Sequence, residues 1–362
     1  MRKRPSKLSL CGDETLHFFG DVFAPAPFRC LEQLPAHWVC NLEAPVTNVE
    51  TGTRGKINLK TGSHFATSFP RLPSAVSLAT NHAFDYGDAG FEDTRKLLER
   101  LNIKYFGVSG QSIGSTSIIE LAGLRVALLG YVCPSTHPSM GSDYGPSLLD
   151  LDKIAADIRE ARVQGSERVV VYLHWGDEEI PLPSPENRER AREILDSGAD
   201  IIIGNHAHCI QGWEVIGGKP IFYGLGNLVT PDLHAPSEFD TLGRATKWYI
   251  KRQFAWNQKS MSIGWDPRNG KWAARFWRFR RGILSPVKGH VEAGMVAEPN
   301  DASYANRYRR VCKARCLKRA FLDNLNSLTL INLRKIRTAG GMTKDLIYSA
   351  FRHAKKPDLS DK

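Results

Sequence analysis

RVVVYLHWGDEEIPLPSPENRERAREILDSGADIIIGNHAH, residues 168–208, holds two β-branched apolar runs, 168–173 and 199–203. Between them Glu186 to Ser197 has helical spacing. A strand, a helix and a second strand in this order predict a parallel unit in an α/β protein. Each run also ends in histidine, His174 in the first and His206 with His208 in the second.

Working outward, the same kind of run recurs at 15–19, 37–41, 75–79, 103–107 and 125–132, with helical patterns at Ala89 to Leu101 and Leu151 to Val163. Two hairpins are predicted after the histidines. One turns at Gly217-Gly218, the other at Pro267-Arg268-Asn269-Gly270, so the second half of the sheet is expected to be antiparallel. Residues 229–254 lack periodicity and are expected to form a long loop over the site. Beyond about residue 290 the pattern becomes helical, near Ser303 to Leu325 and Asn332 to Ala354. The expected organisation is an N-terminal segment 1–14, an α/β domain 15–290 built as a layered β-sandwich flanked by helices, and a basic helical C-terminal tail 291–362.

Of 362 residues 42% are hydrophobic, enough for a sizeable core. The formal net charge is +11. From Asp301 to Lys362 there are 15 Lys or Arg against 5 Asp, a net of +10, which leaves +1 for residues 1–300. The basicity therefore belongs to the tail. Its cations have two readings, a grip on an anionic polymer or lipid and the solvated face of a helix. No nucleic-acid motif accompanies them, so DNA and RNA are not the expected partners. The seven cysteines lack the spacing of a disulfide framework or zinc ribbon and read as reduced thiols. Leu8 to Glu14 breaks any signal-peptide core, and the apolar tract Ile118 to Val132 is too short and too charged to span a bilayer. The expectation is a cytoplasmic protein, with the tail able to dock on the inner membrane surface.

Five strand-like runs end in a residue suited to metal: TLHFFGD at Asp21, HWVCNLE at Glu43, AVSLATNH at Asn81, VVVYLHWGD at His174, and IIIGNHAH at His206 and His208. Side chains just past the carboxyl ends of separate strands converge in space although they are distant in sequence. The set offers carboxylate, amide and imidazole donors, which suit two divalent ions of zinc, manganese or iron, with Glu43 the candidate bridge. His82 is placed to act as general acid and Asp85 to orient its other nitrogen. Any one of these residues alone reads as a turn or cap residue; their co-occurrence argues for a site. Weaker expectations are substrate contact by Lys56, with Arg54 and Lys60 in the same Gly-containing loop, and support of an imidazole by Glu178. Gln211 and Glu214 are expected to fix the loop or line the cleft, and Asn227 to donate to a substrate oxygen.

The series GDVF, NLEAPVT, SLATNHAFDYGDAGFEDT, YLHWGDEE, GADIIIGNHAH and GKPIFYGLGN resembles the capsule-synthesis protein CapA family, over about residues 15 to 230. That resemblance implies a calcineurin-like metallophosphoesterase fold and a role in poly-γ-glutamate or capsular polymer biosynthesis. It also implies that Asp21, Glu43 and His208 hold one ion, that Glu43, Asn81, His174 and His206 hold the other, and that His82 stands near the leaving group. The chain departs from the broader phosphoesterase pattern at Phe23, where a ligand His is usual, and at Glu43, where Asp is usual. Three readings follow. The first is a hydrolase acting on an ester or γ-linked amide of an anionic polymer, phosphorylated or γ-glutamyl. The second is a non-catalytic subunit that binds polymer or a synthase through a vestigial site, and the third a nuclease using the basic tail.

Overall fold

The computed structural model describes residues 16–22, 36–62, 65–69, 71–110, 116–121, 123–287 and 294–332. The first part of the chain runs β1 (Leu16–Val22), β2 (Trp38–Leu42), the single turn α1 (Phe65–Ser68), β3 (Ala75–Ser77), α2 (Gly87–Arg100), β4 (Lys104–Phe106) and β5 (Val108–Gly110). Next come β6 (Thr116–Leu121), β7 (Leu124–Val132), β8 (Tyr144–Pro146), α3 (Leu151–Val163), β9 (Arg168–Trp175), α4 (Pro185–Asp196) and β10 (Ile201–His206). The last part is β11 (Trp213–Ile216), β12 (Lys219–Phe222), β13 (Asn227–Val229), β14 (Leu233–Phe239), β15 (Ala245–Lys251), β16 (Lys259–Trp265), β17 (Trp272–Arg280), β18 (Ile283–Pro286) and α5 (Ala302–Asn332).

Two sheets carry the fold. One has the order β18-β17-β16-β1-β2-β3-β4, with β13 also on β1; the other has the order β11-β12-β10-β9-β7-β6. Their centres are parallel, β1-β2-β3-β4 in the first and β7-β9-β10-β12 in the second. The alternation of side chains along each strand explains the layering. In β9, Val170 and Tyr172 face Val39, Phe106 and Ile263 of the other sheet, whereas Val169, Val171 and Leu173 face Ile154 and Ile158 of α3 and Ile194 of α4. Strands buried on both faces read as continuous apolar runs, which is why the sequence displays them so plainly. On the far side of the first sheet, Val76 and Leu78 pack against Phe91, Leu97 and Leu98 of α2. The protein is thus a sandwich of two sheets with helices outside both.

All seven expected strands are present, as are the three helices expected among them and the first of the two expected in the tail. Both hairpins form, the first through Gly217 and Gly218 with φ of 57° and 80°, values open to glycine at little cost. They extend the edges of different sheets, so the antiparallel pairing is not the second half of one sheet. The expected loop over 229–254 is instead a hairpin of its own, β14 against β15. It packs Leu233 and Ala235 on Ala44, Ile57 and Leu59.

The chain divides into two compact units, Met1–Tyr308 and Arg309–Lys362, so the first unit runs past residue 290. The second expected tail helix, the N-terminal segment 1–14 and Phe23 lie outside the described residues. None of Cys40, Cys133, Cys209, Cys312 and Cys316 is in a disulfide. Among the described residues no helix is long and apolar enough to cross a membrane.

Gly204 of the GNHAH segment is a packing requirement. A Cβ there would lie 1.9 Å from the Tyr223 carbonyl oxygen and 2.7 Å from Trp175 Nε1. Gly204→Ala is therefore expected to destabilise the protein by about 3 kcal/mol, the upper end of overpacking costs, read as a lower urea midpoint with an unchanged slope.

Candidate metal centre

The carboxyl ends of the parallel strands of both sheets meet at one end of the sandwich. His174, near the end of β9, is 1% exposed. It lies in register with Asn205 of β10 and Val132 of β7. Glu43 follows β2 directly and is 2% exposed. Thr80 ties the two loops on this side together: its Oγ1 donates to the Glu43 carbonyl at 2.9 Å and accepts from the His82 amide at 3.0 Å. Asp21 stands at the end of β1, its backbone in register with Asn41 and Asn227.

Four of the expected donors converge. His174 Nε2 lies 2.9 Å from Asn81 Oδ1, 3.1 Å from His206 Nδ1 and 3.7 Å from Glu43 Oε1. Donors held about 2.0–2.2 Å from one ion are separated from each other by about 3–3.6 Å, so this spacing fits a common divalent cation. Burial is the main reason the His174 imidazole stays well below its ordinary pKa, with the neighbouring His206 and His208 adding to it. Burial likewise lowers His206 from 6.5 to about 3. Both rings are neutral at physiological pH and offer lone pairs, as metal ligation requires.

Counting only His, Cys, Asp and Glu, no group of three or more among the described residues could hold an ion. Glu43, His174 and His206 by themselves do not make such a group; the Asn81 amide is the fourth donor, and as they stand His174 hydrogen-bonds both Asn81 and His206. Beside it Asn205 is 1% exposed, with neither polar atom of its amide partnered among the described residues. An unmet buried amide costs about 1–3 kcal/mol. It is a mark of a place where a ligand completes the polar network.

His208 sits apart from this group. Its Nδ1 is 2.9 Å from Asn227 Oδ1; Asn227 Nδ2 donates to the Asn257 carbonyl at 3.2 Å, and Asn257 Nδ2 returns to the His208 carbonyl at 3.0 Å. Asn227, expected to reach a substrate oxygen, thus orients a histidine. His206, His208 and Glu179 have φ of 81°, 51° and 65°, and the Glu179 amide donates to the Ala207 carbonyl at 2.7 Å. Left-handed backbone at non-glycine residues costs about 1–3 kcal/mol each and concentrates at functional sites.

His82 and Asp85 meet as the sequence led one to expect, Nδ1 to Oδ2 at 2.5 Å. The same oxygen accepts from the Leu59 amide at 2.7 Å, and Oδ1 accepts from Ser139 Oγ at 3.0 Å and pairs with Lys56 at 2.9 Å. Burial alone would raise the Asp85 carboxyl, but His82, Lys56 and the Leu59 amide together hold it below the usual range. Lys56, expected to face substrate, spends its donors on Asp85, Ser139 and the Asn81 carbonyl. Arg54 reaches the Asp240 carbonyl at 3.3 Å, and Lys60 the Val49 carbonyl at 2.8 Å. Gln211 donates to the carbonyls of Ile180 and Leu182, fixing the loop after His174. Glu214 is consumed by Arg188 at 2.5 Å.

A cleft opens above the donors. Glu43, His82, His208, Asn227 and Glu178 line its floor and side, and Leu233, Tyr249 and Lys251 of the β14–β15 hairpin line its roof. Lys251 pairs with buried Glu179 at 2.8 Å and with Glu178 at 3.6 Å. Glu178, expected to support an imidazole, is placed beside this lysine. Asn41, which donates to Glu43 Oε2 at 3.2 Å and lies 3.3 Å from His174 Nδ1, is a further member that the sequence reading passed over. A polar residue inside an apolar strand was its signal; Lys251 gave none.

The model of the bacterial capsule synthesis protein PGA_cap matches residues 29–232, more than half of the 362-residue chain. The chain belongs to this family. The PGA_cap match contains every expected ligand except Asp21 and ends before β14. Over 163 residues the chain is 32% identical to the capsule biosynthesis protein CapA of Bacillus anthracis, covering 43% of this chain and 40% of that one. Over 198 residues it is 33% identical to the PGA biosynthesis protein CapA of Bacillus subtilis (strain 168), covering 52% of each. The chain therefore spans about half or less of the length of these relatives. A 5'-nucleotidase precursor from Thermus thermophilus aligns with 72% of this chain and 53% of its own at 15% identity and a TM-score of 0.38, too loose a likeness to inform the site.

The buried imidazoles make the protein acid-sensitive. An unfolded His206 takes up a proton near pH 6.5, whereas the folded one does so near 3. Stability is thus fully present above about pH 6.5 and is lost as pH falls toward 3, with depressed Asp85 acting in the same direction. In chelator-treated protein the denaturant midpoint is expected to drop steadily between these limits. A His206→Gln variant should show a flatter profile.

Proposed function

We propose that this PGA_cap protein is a metal-dependent hydrolase that cleaves an ester or γ-linked amide in an anionic capsular polymer or its phosphorylated or γ-glutamyl precursor. The observation that carries the reading is the convergence of Glu43, Asn81 and His206 within 2.9–3.7 Å of His174 Nε2, with Glu43 also lining an open cleft. Asp21 and His208 are the remaining protein groups for a second ion, each at the end of a strand that reaches the same edge. Divalent manganese, zinc or iron held there supplies Lewis acidity and lowers the pKa of water.

The chain's own residues supply the rest. His82 lines the cleft with its Nδ1 fastened to Asp85, so the other ring nitrogen is the one available to protonate a departing oxygen or nitrogen. Asp85, kept ionised by Lys56 and the Leu59 amide, steadies that ring and its positive form. Lys56 also holds the Asn81 carbonyl, which ties the acid and the metal donor into one unit. Asn41 and Asn227 fix the tilt of His174 and His208. Lys251 brings a cation to the cleft roof, where an anionic substrate enters. The polymer setting follows from the family, and a cytoplasmic site of action with the tail against the inner membrane or a synthase is part of the same proposal.

Phe23, standing where the wider pattern carries a ligand histidine, favours a second reading, a subunit that binds polymer or synthase without turnover. Elemental analysis of the purified protein and of a His174→Ala, His206→Ala double variant separates the two, alongside hydrolysis of a generic phosphodiester and a γ-glutamyl peptide. The hydrolase reading expects about two equivalents of metal, lost in the variant together with turnover. His82→Ala should keep its metal while kcat falls about 10²–10⁴-fold. Absence of both metal and turnover in the wild-type protein would establish the binding subunit.

A further inference from the structure

α5 has two parts of opposite character. Its first two turns are fastened to α4 and the loop that precedes it. Tyr304 is 1% exposed, stacks its ring on the Arg188 guanidinium at 4.3 Å and donates its hydroxyl to the Pro183 carbonyl at 2.7 Å. Tyr308 is 9% exposed and donates to Asp177 in the loop after His174. From Arg309 onward the helix belongs to the second compact unit, and within residues 309–319 it carries Arg309, Arg310, Lys313, Arg315, Lys318 and Arg319 with no acidic residue. Arg309, Arg310, Lys313 and Lys318 are exposed.

The arrangement of these cations selects among anionic partners. At about 100° per residue the four exposed cations spread over about half of the helix circumference, with half-buried Arg315 and Arg319 on the other side. A helix lying in a bilayer interface needs one continuous apolar face, and this stretch has none, Leu317 being a solitary exposed leucine among the charges. Single-stranded nucleic acid is held on such surfaces by aromatic platforms as well as by charge. Of the aromatics near the cations, Tyr304 and Tyr308 are buried and already engaged, which leaves Phe321, 56% exposed, as a single ring rather than a platform. What fits a broad cationic face along a rod, without a continuous apolar strip or a row of stacking rings, is a flexible linear polyanion lying along it.

We infer that residues 309–319 of α5 form a holding surface for a linear polycarboxylate chain. The class of polymer rests on the family reading above; the surface itself lies outside the residues that the PGA_cap model matches. The helix grips the polymer by charge, while Tyr304 and Tyr308 are occupied in anchoring its first turns.

The test uses the full-length chain and fluorescent poly-γ-glutamate, with binding read by anisotropy. Wild-type protein is expected to bind, with affinity falling at least about tenfold as salt rises from about 50 to about 200 mM. A variant with Arg309→Glu, Arg310→Glu, Lys313→Glu and Lys318→Glu should lose about tenfold or more, and a milder variant with Gln at the same positions an intermediate amount. Both should keep wild-type metal content and small-substrate turnover. Equal binding by wild type and both variants, or no binding by wild type, would overturn the inference. So would tighter binding of phosphatidylglycerol-containing vesicles or of oligodeoxythymidylate than of the polymer. A chain without metal or turnover that still holds poly-γ-glutamate through these cations would sustain the inference while ending the hydrolase reading.

Discussion

The two sheets are held in one alignment by a contact that crosses between them. Tyr172 of β9 reaches over the interlayer core and donates its hydroxyl to the Val39 carbonyl of β2 at 3.3 Å. Two residues further along each strand, on the same faces, stand His174 and Asn41, 3.3 Å apart. The period of two along a strand means that fixing one pair fixes the next. Asn41 then holds Glu43, His174 faces Asn81 and His206, and the donors come from four strand ends in two sheets whose described strands do not pair with one another. Sliding one sheet over the other by a single residue would break the centre while leaving each sheet internally intact.

Much of this was legible because the central strands are apolar on both faces. Runs such as VVVYLH and ADIII can only be buried strands between layers, and the polar residue that ends each run stands out against them. The β14–β15 hairpin was illegible for the converse reason. Its strands carry Pro236, Glu238, Lys247 and the exposed Trp248 and Ile250, and what holds it is packing on the distant loop around Ala44 and Leu59. Lys56 reads as a substrate contact because a lysine in a glycine-containing loop looks solvated; that it pairs with a fully buried aspartate is a fact of tertiary structure alone. Lys251 gave no periodic or motif signal at all, and Asn205 stood inside the IIIGNHAH motif in the shadow of its histidines.

The backbone of the second histidine segment runs against local preference. His206, His208 and Glu179 all take left-handed conformations, and Gly204 lies where no side chain fits. The surroundings over-determine these torsions: the β10 core residues are fully buried, the Glu179 amide is tied to Ala207, and Gln211 ties Ile180 and Leu182. The strain is concentrated within one turn of the donors, as expected where geometry is set by chemistry rather than by folding ease.

The roof of the cleft has a consequence for how such a protein changes over time. Floor and roof come from different parts of the chain: the donors from strand ends shared with the family, the covering residues from a hairpin that pairs only with itself among the described strands. A two-stranded flap attached to the body through a small apolar patch and a few polar ties, such as Asn58 to Pro236 and Lys251 to Glu179, accepts substitutions away from those ties without disturbing the alignment of the two main sheets. Diversification of what enters the cleft is therefore uncoupled from maintenance of what lies beneath it, and the first can drift freely while the second stays fixed.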